Sequence, residues 1–136
     1  MYPKARRKPI PIPRQRIAGM TNPKTSSFDF LSFNTYVTMP PATAAAATVA
    51  RGEAEYRTYC GRCHGPDTAN YGILPDLRYS VALRSKERWA AVVLDGAMKA
   101  DGMASFAPVL DANKAEAVRA FVIAQANAAR QRDAGR

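Results

Sequence analysis

The segment 59–65, YCGRCHG, contains both cysteines and the only histidine of a chain of 136 residues. Its Cys-x-x-Cys-His pattern places two thiols one short turn apart and an imidazole directly after the second thiol. Few chemistries use these three groups together at this spacing. The motif therefore limits what the surrounding chain can fold into more strongly than any other feature.

Several kinds of site can be weighed against this spacing. A thioredoxin-like redox motif needs CxxC at a helix start beside a βαβ pattern, and the sequence shows no such strands. A structural zinc site needs four ligands, whereas Cys60, Cys63 and His64 supply three. A plain disulfide, or a pair of inert thiols, leaves His64 without a role. Covalent attachment of one haem c uses all three residues, since each thiol can add to a haem vinyl group and the histidine then binds the iron.

A second axial ligand is expected from a methionine, because the chain has no other histidine. Three of the five methionines precede the predicted domain, which leaves Met98 and Met103. We prefer Met103, which lies in the glycine- and proline-flanked segment DGMASFAPVL; Met98 and an open or different sixth position are the alternatives. Ligation of haem iron by His64 and a methionine leaves no easy position for oxygen or substrate and suits electron transfer.

Hydrophobic periodicity predicts an all-α domain at residues 46–130 with no sheet. The segments between the helices are rich in helix breakers and are expected to be loops. Ser85 is the expected N-cap of the second helix, and a capping pattern beginning at Asn113 is expected to open the third. The three main helices are expected at about residues 48–59, 85–94 and 113–130.

The net charge of +9 is concentrated before this domain. Residues 1–24 contain seven Lys or Arg side chains and no acid, whereas the rest of the chain has 13 basic and 11 acidic side chains. We expect residues 1–45 to form a disordered, basic and proline-rich arm with a linker. Within this arm, residues 28–38 have the composition of a single strand. No nucleic-acid partner is expected, because the excess charge belongs to the arm and not to the folded part.

The sequence shows no membrane span and no signal peptide. No window approaches the ~20 apolar residues that a membrane-spanning helix requires. The first 19 residues have a basic start, but prolines at positions 3, 9, 11 and 13 interrupt any apolar run.

The segments that match a known family are ARGEAEYRTYCGRCHG, GILPDLRYS, RWAAVVLDGAM and DGMASFAPVLDANKAEAVRAFVIAQA, which together cover about residues 46–127. They resemble a class I cytochrome c, most closely the C-terminal haem domain of quinohaemoprotein alcohol dehydrogenases. In those enzymes the domain follows a β-propeller that carries pyrroloquinoline quinone (PQQ). The resemblance implies a class I cytochrome c fold, with three main helices around a covalently bound haem.

The resemblance also implies roles for the haem ligands. Cys60 and Cys63 would form the thioethers, His64 would be the proximal ligand of the iron and Met103 the distal ligand. Where the first and last helices cross, the pair Gly52 and Tyr56 would meet the pair Phe121 and Val122.

Three further residues match positions near the haem. The carbonyl of Pro75 would accept a hydrogen bond from the His64 ring, and Leu77 would pack on the haem. Trp89 would cover the haem, with its indole N–H reaching a propionate; an ordinary core tryptophan is the alternative for Trp89.

By this resemblance the chain would accept electrons from a PQQ-dependent dehydrogenase domain or subunit. It would pass them to a later carrier, such as a cytochrome, a blue copper protein or the quinone pool. Without the propeller and the quinone site, the chain is not expected to be a catalyst by itself. Covalent haem attachment implies a periplasmic location, so we expect a fragment of a longer exported protein or a misassigned start. The alternative is a cytoplasmic module without haem that uses CxxC for thiol redox chemistry, or the arm for nucleic-acid binding.

Overall fold

The computed structural model describes residues 39–70 and 74–136. All regular structure in these residues is helical, which confirms the predicted all-α character for this part of the chain. The disorder and the strand predicted before residue 39 lie outside the described residues. The α-helices are α1 (Ala46–Tyr59), α2 (Gly61–His64), α3 (Lys86–Val93) and α4 (Ala112–Ala134), and the 3₁₀ turns are Leu77–Tyr79, Val81–Arg84 and Lys99–Asp101.

Helices α1 and α4 are in backbone contact. A Cβ atom on Gly52 would lie 1.8 Å from the carbonyl oxygen of Ala117, so only glycine allows this approach. Four residues later, the ring of Tyr56 packs on Phe121 with 5.2 Å between the ring centroids. The predicted close approach at Gly52 is confirmed, but its partner is Ala117, one turn before Phe121 on α4.

The start of α4 differs from the prediction. The carboxylate of Asp111 accepts a hydrogen bond from the backbone N–H of Lys114 at 2.8 Å, which makes Asp111 the N-cap. The helix therefore begins before Asn113, and it continues to Ala134, past the expected end near residue 130. The cap of α3 is as predicted, since Ser85 accepts a hydrogen bond from a backbone N–H of the first turn.

The two 3₁₀ turns before α3 lie in the segment that was expected to be a loop. Asp76 and Ser80 each cap one of these turns by accepting a hydrogen bond from the backbone N–H two residues ahead. These turns and α3 close the core over α1 and α4. The largest fully buried apolar side chains are Tyr56, Leu83, Val118 and Val122.

Residues just before α1 also belong to this packing. Met39 is partly buried against the core, and the side-chain amide of Asn127 on α4 donates a hydrogen bond to the Pro40 carbonyl at 3.1 Å. The predicted boundary near residue 45 therefore falls inside a packed segment. None of the helices between residues 39 and 136, residues 71–73 aside, has the length and apolar character that a membrane crossing demands.

Candidate functional site

The cysteines and the histidine lie at the junction between α1 and α2. Cys60 is both the C-cap of α1 and the N-cap of α2. Its carbonyl accepts hydrogen bonds from the backbone N–H groups of Cys63 at 3.1 Å and His64 at 2.9 Å. This single turn brings the three side chains to one cavity.

The cavity has a volume of about 330 Å³. Cys60, Cys63 and His64 line it from the α1–α2 junction, and Met103 lines it from the segment between α3 and α4. Most of the remaining lining is apolar and includes Tyr59, Leu74 and Phe106.

A smaller cavity of about 40 Å³ shares three of these side chains, Cys60, His64 and Met103. Leu77 and Trp89 also line it. The structure thus brings six of the seven predicted site residues to these two cavities. The seventh, Pro75, lines neither.

A glycine turn places Met103 at the cavity. Gly102 ends the 3₁₀ turn Lys99–Asp101 with φ of 93°, a left-handed conformation that glycine adopts readily. The next residue, Met103, donates its backbone N–H to the Met98 carbonyl at 3.2 Å. The side chain of Met98 is 41% exposed and lines neither cavity. Of the two candidate methionines, the structure brings only Met103 beside His64.

The hydrogen bonds predicted for Trp89 and His64 are not found within the ranges that the structure describes. The indole N–H of Trp89 donates to the Ala115 carbonyl at 2.7 Å, because this buried ring packs toward α4. It is therefore satisfied inside the protein and not directed at a propionate. His64 Nδ1 is buried and has no hydrogen-bond partner among the described residues, so the expected bond to Pro75 is absent. Pro75 itself is exposed.

Burial sets the protonation of the site. It raises the pKa of the Cys60 thiol to about 11, and the neighbouring Cys63 adds to this effect. It also lowers the pKa of His64. The imidazole is therefore neutral at neutral pH, which is the form that binds metal ions.

Sequence analysis missed two side chains that hold the backbone here. The hydroxyl of Tyr56 donates to the Gly65 carbonyl at 2.6 Å, and the amide of Asn70 donates to the Cys63 carbonyl at 2.7 Å. Burial, with a smaller contribution from Cys60, raises the pKa of Tyr56, so its hydroxyl remains a donor. The sequence feature that could have revealed the Tyr56 bond is the residue type itself, since a buried tyrosine usually needs a partner for its hydroxyl.

Comparison with known proteins identifies the family of this site. The family described as "Cytochrome C oxidase, cbb3-type, subunit III" matches residues 47–122, which include both cysteines, the histidine and Met103. The chain belongs to this family of cytochrome c domains. Membership implies haem c as the cofactor and electron transfer as the function.

The relatives of this cytochrome c domain include much longer proteins. The chain is 38% identical over 94 residues to the dehydrogenase subunit of an alcohol dehydrogenase (quinone) from Acetobacter aceti, covering 69% of this chain and 13% of that protein. It is 36% identical over 85 residues to quinohemoprotein alcohol dehydrogenase ADH IIB from Pseudomonas putida, covering 62% of this chain and 12% of the relative. The matched region therefore spans about one eighth of these relatives.

The residues of the site fit a haem. A neutral imidazole and a thioether line the same cavity, and both are ligands that haem iron accepts. Two free thiols lie beside them. The remaining lining is mostly apolar, as a porphyrin ring requires.

Proposed function

We propose that this domain transfers single electrons through one haem c that is held by four side chains. Cys60 and Cys63 would anchor the group covalently, and His64 and Met103 would bind its iron. The observation that carries the proposal is that these four side chains line one cavity, although Met103 lies about forty residues from the others in sequence.

The bound iron supplies a reversible one-electron couple, and the chain sets the conditions for it. His64 and Met103 would both bind the iron, which would leave no coordination position for a substrate and would favour a raised reduction potential. Apolar residues such as Leu74 and Phe106 exclude water from the cavity, and Leu77 and Trp89 would contact the porphyrin from the smaller cavity.

An electron partner can approach where the cavity meets the surface. Cys63 lines the cavity and is also exposed, so the cavity reaches the protein surface at this residue. From the names of the relatives, we propose a PQQ-dependent alcohol dehydrogenase domain or subunit as the donor. A cytochrome, a blue copper protein or the quinone pool would then be the acceptor, and the periplasm the location.

The alternative of a thiol-redox module is disfavoured by the electrostatics of Cys60. Reactive cysteines in CxxC motifs have a lowered thiol pKa, because the thiolate is the nucleophile. Burial raises the pKa of Cys60 instead. This thiol stays protonated at neutral pH and suits addition to a vinyl group during haem attachment better than disulfide exchange.

The test is covalent haem content, measured after export to a bacterial periplasm that contains haem-maturation machinery. We expect the purified protein to keep one haem per chain through acid–acetone extraction, to show a c-type pyridine haemochrome and to titrate with one electron. Cys60→Ala and Cys63→Ala should each weaken retention, and the double variant should abolish it. Thr58→Ala is the control, since this hydroxyl bonds only to the Ala54 carbonyl on the exposed side of α1. Extractable haem in the unmodified protein, or retained haem in the double variant, would contradict the proposal.

A further inference from the structure

Two side chains hold the peptide groups on either side of His64. The hydroxyl of Tyr56 donates to the carbonyl of Gly65, the residue after the histidine, at 2.6 Å. The side-chain amide of Asn70 donates to the carbonyl of Cys63, the residue before it, at 2.7 Å. The backbone that carries the imidazole is thus fixed from both sides.

Tyr56 connects this backbone to the rigid part of the domain. Its side chain is fully buried on α1, and its ring packs on Phe121 of α4. A fully buried ring that packs on a neighbouring ring has little freedom to move, and its hydroxyl shares this rigidity. Tyr56 therefore connects the Gly65 carbonyl to the α1–α4 interface.

The loop after His64 folds back so tightly that the Asn70 side chain reaches the Cys63 carbonyl. Gly65 has φ of 81°, and a Cβ atom there would lie 2.6 Å from the Ala69 carbonyl oxygen. Thr68 is fully buried with φ of 67°, an outlier for a β-branched residue. Such strained conformations persist only where surrounding contacts determine them. The Thr68 carbonyl accepts a hydrogen bond from the backbone N–H of Leu77 at 3.2 Å, which is one such contact.

Among residues 39–70 and 74–136, no side chain or carbonyl anchors the Nδ1 atom of the His64 ring. A histidine that binds a metal is usually oriented by a hydrogen bond from its second ring nitrogen. In the described residues, Nδ1 of His64 is buried without such a partner. Tyr56 and Asn70 hold the backbone on both sides of this imidazole, and through that backbone they influence the orientation of the ring.

We propose that Tyr56 and Asn70 are positioning residues that set the orientation of the His64 imidazole at the haem. The proposal rests on the proposed function, in which His64 is an iron ligand. Tyr56→Phe keeps the ring that packs on Phe121 and removes only the hydroxyl, with its hydrogen bonds to the Gly65 carbonyl and the Thr68 backbone. Asn70→Ala removes the second hydrogen bond.

The experiment records proton NMR spectra of the oxidised haem protein. The shifted resonances of the haem methyl groups depend on the orientation of the axial imidazole plane. Tyr56→Phe and Asn70→Ala are each expected to shift this methyl pattern at neutral pH, and the double variant is expected to shift it further. A change in thermal stability alone would not move these resonances while the protein is folded.

Two matched variants control for ordinary destabilisation. Tyr79→Phe makes the same chemical change at an exposed ring. Asn127→Ala removes amide hydrogen bonds to the Pro40 and Ile123 carbonyls, away from the motif. Both should leave the methyl pattern unchanged, and Asn127→Ala should still lower the melting temperature.

The outcomes separate the two proposals. If the unmodified protein holds no haem, the proposed function fails. If it holds haem and Tyr56→Phe and Asn70→Ala both keep its methyl pattern, the positioning role is overturned and the two residues only stabilise the loop. If one of these two variants does not take up haem, the same criterion is applied to the other.

Discussion

The α1–α4 interface and the cavity beside α2 are built in opposite ways. At the interface the backbones touch, with Gly52 against Ala117, and Tyr56 and Val122 are fully buried. At the cavity the walls come largely from short turns and irregular segments. The exposed Cys63 lies there beside His64, whose buried Nδ1 has no hydrogen-bond partner in the part of the chain that the structure describes. The interface is complete with protein atoms alone, whereas the cavity is lined by groups suited to a further ligand.

This difference separates stability from function along the chain. The interface depends on two regular helices and tolerates little change, because close-packed backbone contacts cannot relax around an added atom. The cavity depends on where a few donor atoms lie. Substitutions at the interface should therefore act on folding, and substitutions at the cavity should act on the haem.

The largest effect is expected from Gly52→Ala. Its Cβ atom would overlap the Ala117 carbonyl oxygen, so α1 and α4 must separate. We expect a loss of at least about 3 kcal/mol in the free energy of unfolding, at the upper end for overpacking. Denaturant unfolding of the haem protein measures this. Gly135→Ala, where a Cβ atom would make only ordinary contacts, should change stability by less than about 0.5 kcal/mol. A loss below 1 kcal/mol for Gly52→Ala would show that the helices are not in backbone contact.

A smaller effect is expected from Trp89→Phe, which lies between the two regions. The substitution removes the buried hydrogen bond to the Ala115 carbonyl and part of the ring volume, and should cost about 2 kcal/mol. The haem absorption spectrum should stay the same, because phenylalanine keeps an aromatic ring at the smaller cavity and the indole N–H is directed at α4. A spectrum that changes without a loss of stability would favour contact with the haem propionate instead.

The smallest effect is expected from Asp76→Asn, at the N-cap of the 3₁₀ turn Leu77–Tyr79. Partial burial raises the pKa of Asp76, but hydrogen bonds and charge from Arg78 outweigh it and hold the pKa below its usual value. The carboxylate accepts a hydrogen bond from the Arg78 side chain at 2.6 Å and also caps the 3₁₀ turn. Since the folded pKa lies below the unfolded value of about 3.9, protonation favours the unfolded chain. The contribution is present above about pH 4 and is lost as the pH falls through the folded pKa.

We expect Asp76→Asn to cost about 1 kcal/mol at pH 7, and this cost should disappear as the pH falls through the folded pKa of Asp76. Unfolding curves at several pH values would show the two proteins converging in acid. Asp95→Asn, at an exposed position, is the control and should stay within about 0.5 kcal/mol throughout. A stability difference that does not vary with pH would mean that the ion pair with Arg78 contributes nothing.

The two regions also differed in how well the sequence predicted them. Periodicity was sufficient to predict α1, and the family resemblance predicted its contact with α4 at Gly52 and Tyr56. The start of α4 was missed because the Asn113 pattern competed with a better signal. Asp111 lies between Leu110 and Ala115, both buried, and this apolar pair flanking an N-cap is a hydrophobic staple.

The cavity was predicted through its motif and through a family resemblance, not through its geometry. Spacing alone identified Cys60, Cys63 and His64, since they lie within one turn. No local pattern indicates that Met103 approaches them, because the intervening turns are too short to leave a periodic signal. The hydrogen bonds of Tyr56 and Asn70 depend on a loop that reverses at Gly65, and single residues in such loops cannot be placed from sequence.

The visible and near-infrared absorption spectrum of the oxidised protein tests the central claim most directly. If His64 and Met103 are the axial ligands, the unmodified protein should show a weak, long-wavelength band from iron–sulfur charge transfer. Met98→Ala should keep this band, because the Met98 side chain lies at the surface. Met103→Ala should lose the band, keep its covalent haem, bind carbon monoxide when reduced and have a lower reduction potential. A band that survives in Met103→Ala and disappears in Met98→Ala would contradict the account.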